Sequence, residues 1–506
     1  MQAANRVAIN TAVQYIQLVL NVVIGLFSVR IILDSLGTID YGVYNLLGGV
    51  IGLLAFINSS LSQTSVRYIS VSLGKKDIED LRRTFNACFS LHLSMAFVMA
   101  IILEVIGLFL FDGFLDIPED RVFAAKLVYH CMVFTLFLQI TVSPFSAMLV
   151  AHEKFVYTSS IGILNALCKL GIALMISYTT KDKLVLYGAL MALLVVIDVS
   201  LYVGYILIKY GKEVSFKHVE LSRIKGVMGF AGWTLFDVLG SVFNRQGYAV
   251  LLNKYFGPAT NTVYALAGQV EGHLYTMSSS VINTMKPQIM KSQGSGDTQR
   301  ALRLSLTSGK FGCSMMSLLA IPIIILMPEV LDIWLKEVPE GTVLFSRLMV
   351  IACMFNQVTM GLVAANQAIG KIKWFSIIVS CTRMAALPIS VLFCIFGAPS
   401  YIPMIVFAVC ETLASFSRVL VMSKLSSLRI YDFMKSVMLQ ILPPMILSAI
   451  AGVVLHTLVH GLLGMAIVTV CSALVYALVF YLIGMTSVEK SLLINIVKQY
   501  VPKHNK

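Results

Sequence analysis

The sequence predicts an all-α polytopic membrane protein with about fourteen transmembrane helices. The chain has 506 residues, of which 58% are hydrophobic and 12% charged, and its mean hydropathy is +0.86. A soluble globular protein carries about 25% charged residues, so this chain has too few charges to cover a water-soluble body of its size. Its apolar residues also form blocks of about 18 residues or more, the length needed to cross a hydrocarbon core of ~30 Å.

Hydropathy read over windows of about 19 residues places the individual helices. The first apolar block begins near Val7 and is too long for the core of a signal peptide, so we interpret it as a retained membrane helix. The predicted helices span residues 9–33, 41–66, 84–111, 122–150, 157–178, 184–208, 226–253, 260–285, 302–327, 342–369, 374–396, 401–423, 434–457 and 462–484.

Basic residues concentrate in alternate loops and in the C-terminal tail. These segments carry Lys75, Lys76, Arg82, Arg83, Lys154, Lys209, Lys212, Lys217, Arg223, Lys225, Lys291, Arg300, Lys371, Lys373, Lys424, Arg429, Lys435, Lys490, Lys498, Lys503 and Lys506. The other loops are acidic and carry Asp34, Asp40, Asp112, Asp116, Glu119, Asp120, Glu329, Asp332, Glu337 and Glu340. Because basic loops stay in the cytoplasm, we predict that both termini are cytoplasmic. Orientation and contact with anionic membrane lipid then explain the net charge of +13, and no nucleic-acid partner is expected.

The chain contains an internal repeat at an offset of 220 residues. Residues 36–77 align without gaps on residues 256–297, and the match includes glycines, serines and an aspartate, which apolar composition alone would not align. The coinciding pairs are Gly37 with Gly257, Tyr44 with Tyr264, Gly48 with Gly268, Gly52 with Gly272, Ser59 with Ser279, Ser60 with Ser280, Gly74 with Gly294, and Asp77 with Asp297.

The offset spans six predicted helices, so both copies enter the membrane in the same direction. This predicts two parallel six-helix repeats that face a central cleft, followed by two extra C-terminal helices. The corresponding segments are an N-terminal lobe at 1–210, a second lobe at 211–430, and the extra helices with a cytoplasmic tail at 431–506.

Polar and small residues form a stripe on the first helix and on its repeat partner, the seventh. The stripes consist of Gln14, Gln17, Asn21, Gly25 and Ser28, and of Thr234, Asp237, Ser241, Arg245 and Tyr248. Steps of three and four keep each set on one helix face. A polar face is unfavourable in lipid, so these faces either line a water-filled cavity or form helix–helix contacts through their amides and hydroxyls.

Ionisable residues of both signs lie deep in the predicted helices, where they either line a pathway or form structural ion pairs. Lys169, Arg245 and Arg383 are the candidates for binding an anion. The carboxylates Asp198, Asp237, Glu271 and Glu411 are the candidates for binding protons or sodium, and Arg418 is also deep. Arg30 and Arg67 lie nearer helix ends and join the substrate-binding candidates, with snorkelling to the interface as the alternative.

No catalytic motif accompanies these charges. The sequence contains no GxxxxGK[ST] phosphate loop, no HExxH, no GxSxG and no CxxC pair. The outward loops are short, the longest running from about Pro328 to Gly341, which leaves little room for a catalytic domain. We therefore expect neither an enzyme nor a bound metal or cofactor, and a membrane-bound sugar polymerase or ligase is disfavoured.

Several local features together resemble a known family. They are the run from Ser28 to Ser70 with Leu36-Gly37, the Tyr41-Gly42-Val43-Tyr44 turn, Arg67, and the short loop with Lys371 and Lys373. This pattern resembles the polysaccharide transporter family, the O-antigen and capsule flippases of the multidrug/oligosaccharidyl-lipid/polysaccharide exporter superfamily. The two extra C-terminal helices resemble the peptidoglycan-precursor flippases of the same superfamily.

The resemblance implies movement of an undecaprenyl-pyrophosphate-linked oligosaccharide across the bacterial inner membrane by alternating access. A cationic cavity for the pyrophosphate is then expected, and Lys169, Arg245 and Arg383 match it by depth. A coupling ion and a polysaccharide polymerase are the further partners that it implies. The alternative is a drug/cation antiporter of the same superfamily, in which the carboxylates bind the cation and the arginines form structural pairs.

Overall fold

The computed structural model describes residues 2–52, 54–111, 117–216, 220–335, 337–491 and 494, and this part of the chain is almost entirely helical. Of the residues used for the predicted topology, Asp112, Asp116, Lys217, Lys498, Lys503 and Lys506 lie outside it. The helices are α1 Gln2–Gly52, α2 Ala55–Lys75, α3 Ile78–Phe109, α4 Val122–Ala151, α5 Phe155–Ser177, α6 Lys183–Tyr210, α7 Leu221–Gly294, α8 Thr298–Ile325, α9 Met327–Trp334, α10 Thr342–Ile369, α11 Lys373–Met384, α12 Ala386–Ile395, α13 Tyr401–Leu425, α14 Ile430–Phe433, α15 Leu439–Leu458 and α16 Gly461–Val479.

The number of membrane spans agrees with the prediction. Among the described residues, twelve helices are long and apolar enough to cross a membrane, or thirteen when one bent pair is counted as a span. Helix α7 enters this count once although it has 74 residues, a length of ~110 Å at 1.5 Å per residue. Its backbone is non-helical at Gly257, and dividing α7 there brings the count to fourteen. The predicted all-α polytopic class is confirmed.

The same backbone break occurs in both repeats. Gly37 has φ 77° and ψ 170°, and Gly257, which lies 220 residues later, has φ 86° and ψ 175°. A positive φ with an extended ψ is a region that essentially only glycine adopts. The aligned glycines of the sequence repeat therefore mark the point at which the first helix of each repeat ends.

Replacing Gly257 with alanine should lower the free energy of unfolding by about 1–3 kcal/mol, because a Cβ disfavours this backbone conformation. An added Cβ would meet no atom within 4 Å, so strain and not a clash causes the loss. Gly272→Ala is the matched control: it lies in the helical part of α7 with the same free space, and alanine favours a helix. Equal melting temperatures for the two purified variants would contradict this prediction.

A second pair of matching features begins the next helix of each repeat. Lys76 and Gly296, again 220 residues apart, both have a positive φ, at 59° and 84°. Each is followed by an aspartate that caps a helix: Asp77 accepts hydrogen bonds from the backbone N–H groups of Glu79 and Asp80, and Asp297 accepts one from that of Arg300. Capping by aspartate satisfies N–H groups that have no partner within the helix. The repeat thus extends from sequence to turn geometry.

Two predicted helices differ from the structure. The helix expected at 41–66 is bent by 49° between residues 39–52 and 56–75, where Gly48, Gly49 and Gly52 weaken the helix. The helix expected at 374–396 is interrupted at Ala385, between α11 and α12. Pro388 explains this interruption, because proline lacks an N–H and its ring clashes with the carbonyl four residues earlier.

The chain divides into two compact units. The N-terminal unit contains residues 9–235 and 294–296, and the C-terminal unit contains 236–293 and 297 onward, together with the residues before Ile9. In the N-terminal unit, Arg121 ties α1 to the start of α6 by donating hydrogen bonds to Asp40 at 2.5 and 2.7 Å and to Asp182 at 2.9 Å. Burial would raise the pKa of Asp182, but hydrogen bonds from Val185 and Arg121 outweigh this effect and lower it.

The two extra C-terminal helices are held in the C-terminal unit by a buried ion pair. Lys310 on α8 donates to Glu489 at 2.5 Å, to the side chain of Gln440 at 2.9 Å and to the carbonyl of Gly484 at 3.2 Å. Since a buried ammonium needs a paired charge and further acceptors, these contacts anchor α15 and the segment after α16 to α8.

Candidate functional site

Deep charged residues of the C-terminal unit form a network whose charges balance. It contains three arginines and three carboxylates, from α7, α11 and α13: Asp237, Arg245, Glu271, Arg383, Glu411 and Arg418. Charges at membrane depth require partners or water, and here most of the partners are one another.

Arg245 and Glu271 form an ion pair between the two halves of α7. One guanidinium nitrogen of Arg245 donates to both carboxylate oxygens of Glu271, at 2.9 and 3.1 Å. The backbone carbonyl of Arg245 accepts a hydrogen bond from the Tyr264 hydroxyl at 3.2 Å. The Arg245 side chain is 52% exposed, whereas that of Glu271 is 8% exposed. The pair therefore presents its positive member and buries its negative one.

Arg383 and Glu411 form a second ion pair, in which both side chains are largely buried. Arg383 Nε lies 2.9 Å from a carboxylate oxygen of Glu411, and its Nη1 donates to the Ser241 hydroxyl at 2.5 Å. Asn244 donates to the same carboxylate at 3.4 Å. The interruption between α11 and α12 places Arg383 in the last turn of α11. These contacts join α7, α11 and α13.

Asp237 and Arg418 complete the network through neutral partners. The Ser380 hydroxyl donates to Asp237 at 2.9 Å. Arg418 is buried and donates to the Asn356 side chain at 2.6 Å and to the Thr359 hydroxyl at 3.1 Å. A hydroxyl or amide partner satisfies hydrogen bonding without neutralising charge, so these two residues rely on the other members of the network for electrostatic balance.

The N-terminal unit contains a smaller polar group. Lys169 on α5 is exposed and interacts electrostatically with Asp198 on α6, which is half-buried. Asp198 accepts a hydrogen bond from the Asn165 side chain. As in the Arg245–Glu271 pair, the cation is the more accessible member.

Arg30 and Arg67, the remaining predicted cations, have different surroundings. Arg30 on α1 is exposed. Arg67 on α2 is half-buried, with its guanidinium 4.5 Å from the ring centre of Tyr68 and 4.6 Å from that of Phe230. Two aromatic faces at this distance stabilise a cation, so the Arg67 side chain is held in place by its own unit.

The structure brings five of the nine predicted site residues together in the C-terminal unit, and Lys169 with Asp198 in the N-terminal unit. Sequence reasoning missed the neutral partners Ser380, Asn244, Asn165, Asn356 and Thr359. One signal was present on α11, where Ser376, Ser380 and Arg383 recur in steps of four and three and are all buried. Among the described residues, no group of three or more His, Cys, Asp or Glu side chains could hold a metal ion.

Comparison with known proteins identifies the fold. No family model and no curated protein matches the sequence. Solved structures do match: an outward-facing multidrug resistance MATE family transporter of the MOP superfamily aligns with a TM-score of 0.69 at 14% identity, over 84% of this chain and 96% of its own. The chain has the fold of the MATE transporters.

Two other structures support this assignment. The bent form of VcmN from Vibrio cholerae aligns with a TM-score of 0.69 at 15% identity, over 84% of this chain and 98% of VcmN. The MATE transporter ClbM, in complex with Rb+, aligns with a TM-score of 0.69 at 15% identity, over 85% of this chain and 96% of ClbM. Because these identities are low, the MATE likeness establishes the fold alone.

Proposed function

We propose that this protein is a flippase that moves an undecaprenyl-pyrophosphate-linked oligosaccharide across the bacterial inner membrane for surface polysaccharide synthesis. The proposal places the protein in the polysaccharide transporter family of the MOP superfamily. In this proposal it works by alternating access and is not an enzyme. Both termini are cytoplasmic. The MATE-like fold supports the transporter class, since the matched transporters have been solved in outward-facing, straight and bent forms.

The observation that carries the substrate class is the exposure of the deep charges. In the Arg245–Glu271 pair the arginine is 52% exposed and the carboxylate 8%, and the deep Lys169 is exposed as well. An exposed cation at membrane depth requires water or an anionic ligand, because lipid chains solvate neither. Bidentate binding by arginine is suited to phosphate groups. The accessible charge thus favours an anionic cargo such as a pyrophosphate.

The roles of the remaining residues follow from their geometry. We assign Arg245 to the pyrophosphate group, and Lys169 and Arg30 of the N-terminal unit stay predicted substrate-binding residues. Arg383 and Arg67 are predicted substrate-binding residues, and their enclosed positions favour a supporting role in which they hold the surrounding helices. The predicted sites for a coupling proton or sodium ion stay the four carboxylates Asp198, Asp237, Glu271 and Glu411.

A second candidate is an ion-coupled antiporter for drugs or other cations. The favouring observation is that the matched structures include a multidrug resistance transporter and a transporter bound to Rb+. In this alternative, Glu271 and Glu411 bind cations and the arginines only balance their charge. The two candidate functions differ in the charge of the transported molecule, which is negative for the flippase and positive for the antiporter.

Deletion of the gene, followed by complementation with the wild-type chain, tests the proposal. We expect the deletion strain to lose surface polysaccharide and to accumulate lipid-linked precursors in the cytoplasmic leaflet, and the wild-type gene to reverse both effects. Unchanged surface polysaccharide together with altered sensitivity to cationic drugs would overturn the flippase proposal in favour of the antiporter.

A further inference from the structure

An apolar groove runs along α7 within the C-terminal unit. Its volume is about 850 Å³, and its walls are formed by α7 from Phe236 to Tyr255 and by Met384, Leu387 and Val391 of α11 and α12. The α7 wall presents exposed apolar side chains, among them Val250 at 68% exposure. A groove of this size is within the range of ~300–1,000 Å³ that is typical of ligand sites.

Close packing of α7 on α11 and α12 forms the floor of this groove. A Cβ added at Gly247 would lie 2.6 Å from Leu387, and one added at Gly240 would lie 3.1 Å from Ser380. Small residues at a helix crossing let the two backbones approach closely. The groove therefore lies where the small residues Gly240 and Gly247 bring the helices together, and larger side chains form its walls.

One end of the groove carries a positive charge. Among the described residues that line the groove, Lys254 is the only charged one, and it is exposed. Its ammonium lies 5.8 Å from the ring centre of Tyr255. Lys254 and Tyr255 lie three and two residues before the break at Gly257, and lysine and tyrosine at a helix end are typical of the membrane interface. The wall from Phe236 to Lys254 is ~27 Å long, so it extends from this interface deep into the hydrocarbon.

We propose that this groove binds an anionic phospholipid of the surrounding bilayer. Its hydrocarbon chains lie along the apolar wall, and its phosphate group pairs with the Lys254 ammonium. The apolar wall and the single lysine disfavour other ligands. A polar solute would have the amide of Gln246 as its hydrogen-bonding partner along the wall, and Lys254 would repel a cationic headgroup. This inference is independent of the cargo and assigns a lipid site to the C-terminal unit.

Native mass spectrometry of the purified full-length protein tests this site with phosphatidylglycerol and phosphatidylcholine of equal chain length. We expect preferential binding of phosphatidylglycerol, and Lys254→Gln should weaken it about fivefold, the usual contribution of one lysine to binding of anionic lipid. Lys126→Gln is the matched control, because Lys126 is also exposed and lies 5.8 Å from an aromatic ring, that of Phe111, outside the groove. Val250→Trp, which fills the groove, should weaken binding of both lipids.

Three results would overturn the inference. Equal binding of the two lipids by the wild-type protein would remove the role of charge. An equal loss in the Lys126→Gln and Lys254→Gln proteins would show a non-specific surface effect. Undiminished binding in the Val250→Trp protein would place the lipid elsewhere.

Discussion

Replacing Arg383 with alanine should destabilise the C-terminal unit by about 3–5 kcal/mol, the usual effect of removing one member of a buried ion pair. The loss arises because Glu411 keeps its charge while its principal partner is gone, and the weaker hydrogen bond from Asn244 at 3.4 Å cannot replace it. Ser241 also loses its contact with the guanidinium. Thermal unfolding of the detergent-purified protein would show the effect as a lower melting temperature.

The double variant Arg383→Met with Glu411→Leu is the control for this experiment. Replacing both charges with apolar side chains of similar size often leaves stability unchanged, so the double variant should be more stable than the single one. If both variants unfold at the same temperature, then the loss comes from packing around α11 and not from an unpaired carboxylate.

The fold was predictable to the extent that its determinants are local. Long apolar blocks specify membrane helices because only a helix satisfies its own backbone in lipid. The predicted helices leave residues 34–40 and 254–259 between them, and the backbone breaks within these segments, at the aligned glycines Gly37 and Gly257. The interruption before Pro388 follows from one residue, yet hydropathy does not register it, since proline leaves an apolar block apolar.

The candidate site was predictable only in part. Depth along a helix identified Asp237, Arg383 and Glu411 as charges that need partners. Which side chains pair with these charges depends on how each helix is rotated about its axis, and a hydropathy profile says little about helix rotation. Ser380 reaches Asp237 across 143 residues of sequence, and only the packing of α11 against α7 makes them neighbours.

Exposure was the property least accessible from sequence. Arg245 and Arg383 look alike by depth, but the structure leaves the first half-exposed and encloses the second. Since both are paired with glutamates, pairing alone does not separate a binding residue from a supporting one. The different exposures are therefore the basis for assigning them different roles.

Replacing Arg245 with alanine should reduce transport about ten- to a hundredfold while leaving protein level and membrane insertion intact. That range corresponds to the loss of a charge-assisted interaction of about 1.5–3 kcal/mol. The side chain is 52% exposed, so its removal leaves no cavity in the core. It also opens the unpaired Glu271 carboxylate to the water that reaches this position, unlike the enclosed Glu411 in the Arg383 variant, and folding should therefore be preserved. Surface polysaccharide and lipid-linked precursors in a complemented deletion strain measure the effect.

Arg245→Lys is the matched variant for this prediction. Lysine keeps the positive charge but not the planar fork that binds a phosphate through two donors, so transport should fall between the wild-type and alanine values. A protein that needs Arg245 only to balance Glu271 would behave differently, because either cation would restore function fully. Full transport activity of the Arg245→Ala protein would show that the exposed cation is not needed to bind the cargo. Together with altered resistance to cationic drugs, this result would contradict an anionic cargo and favour a cationic one.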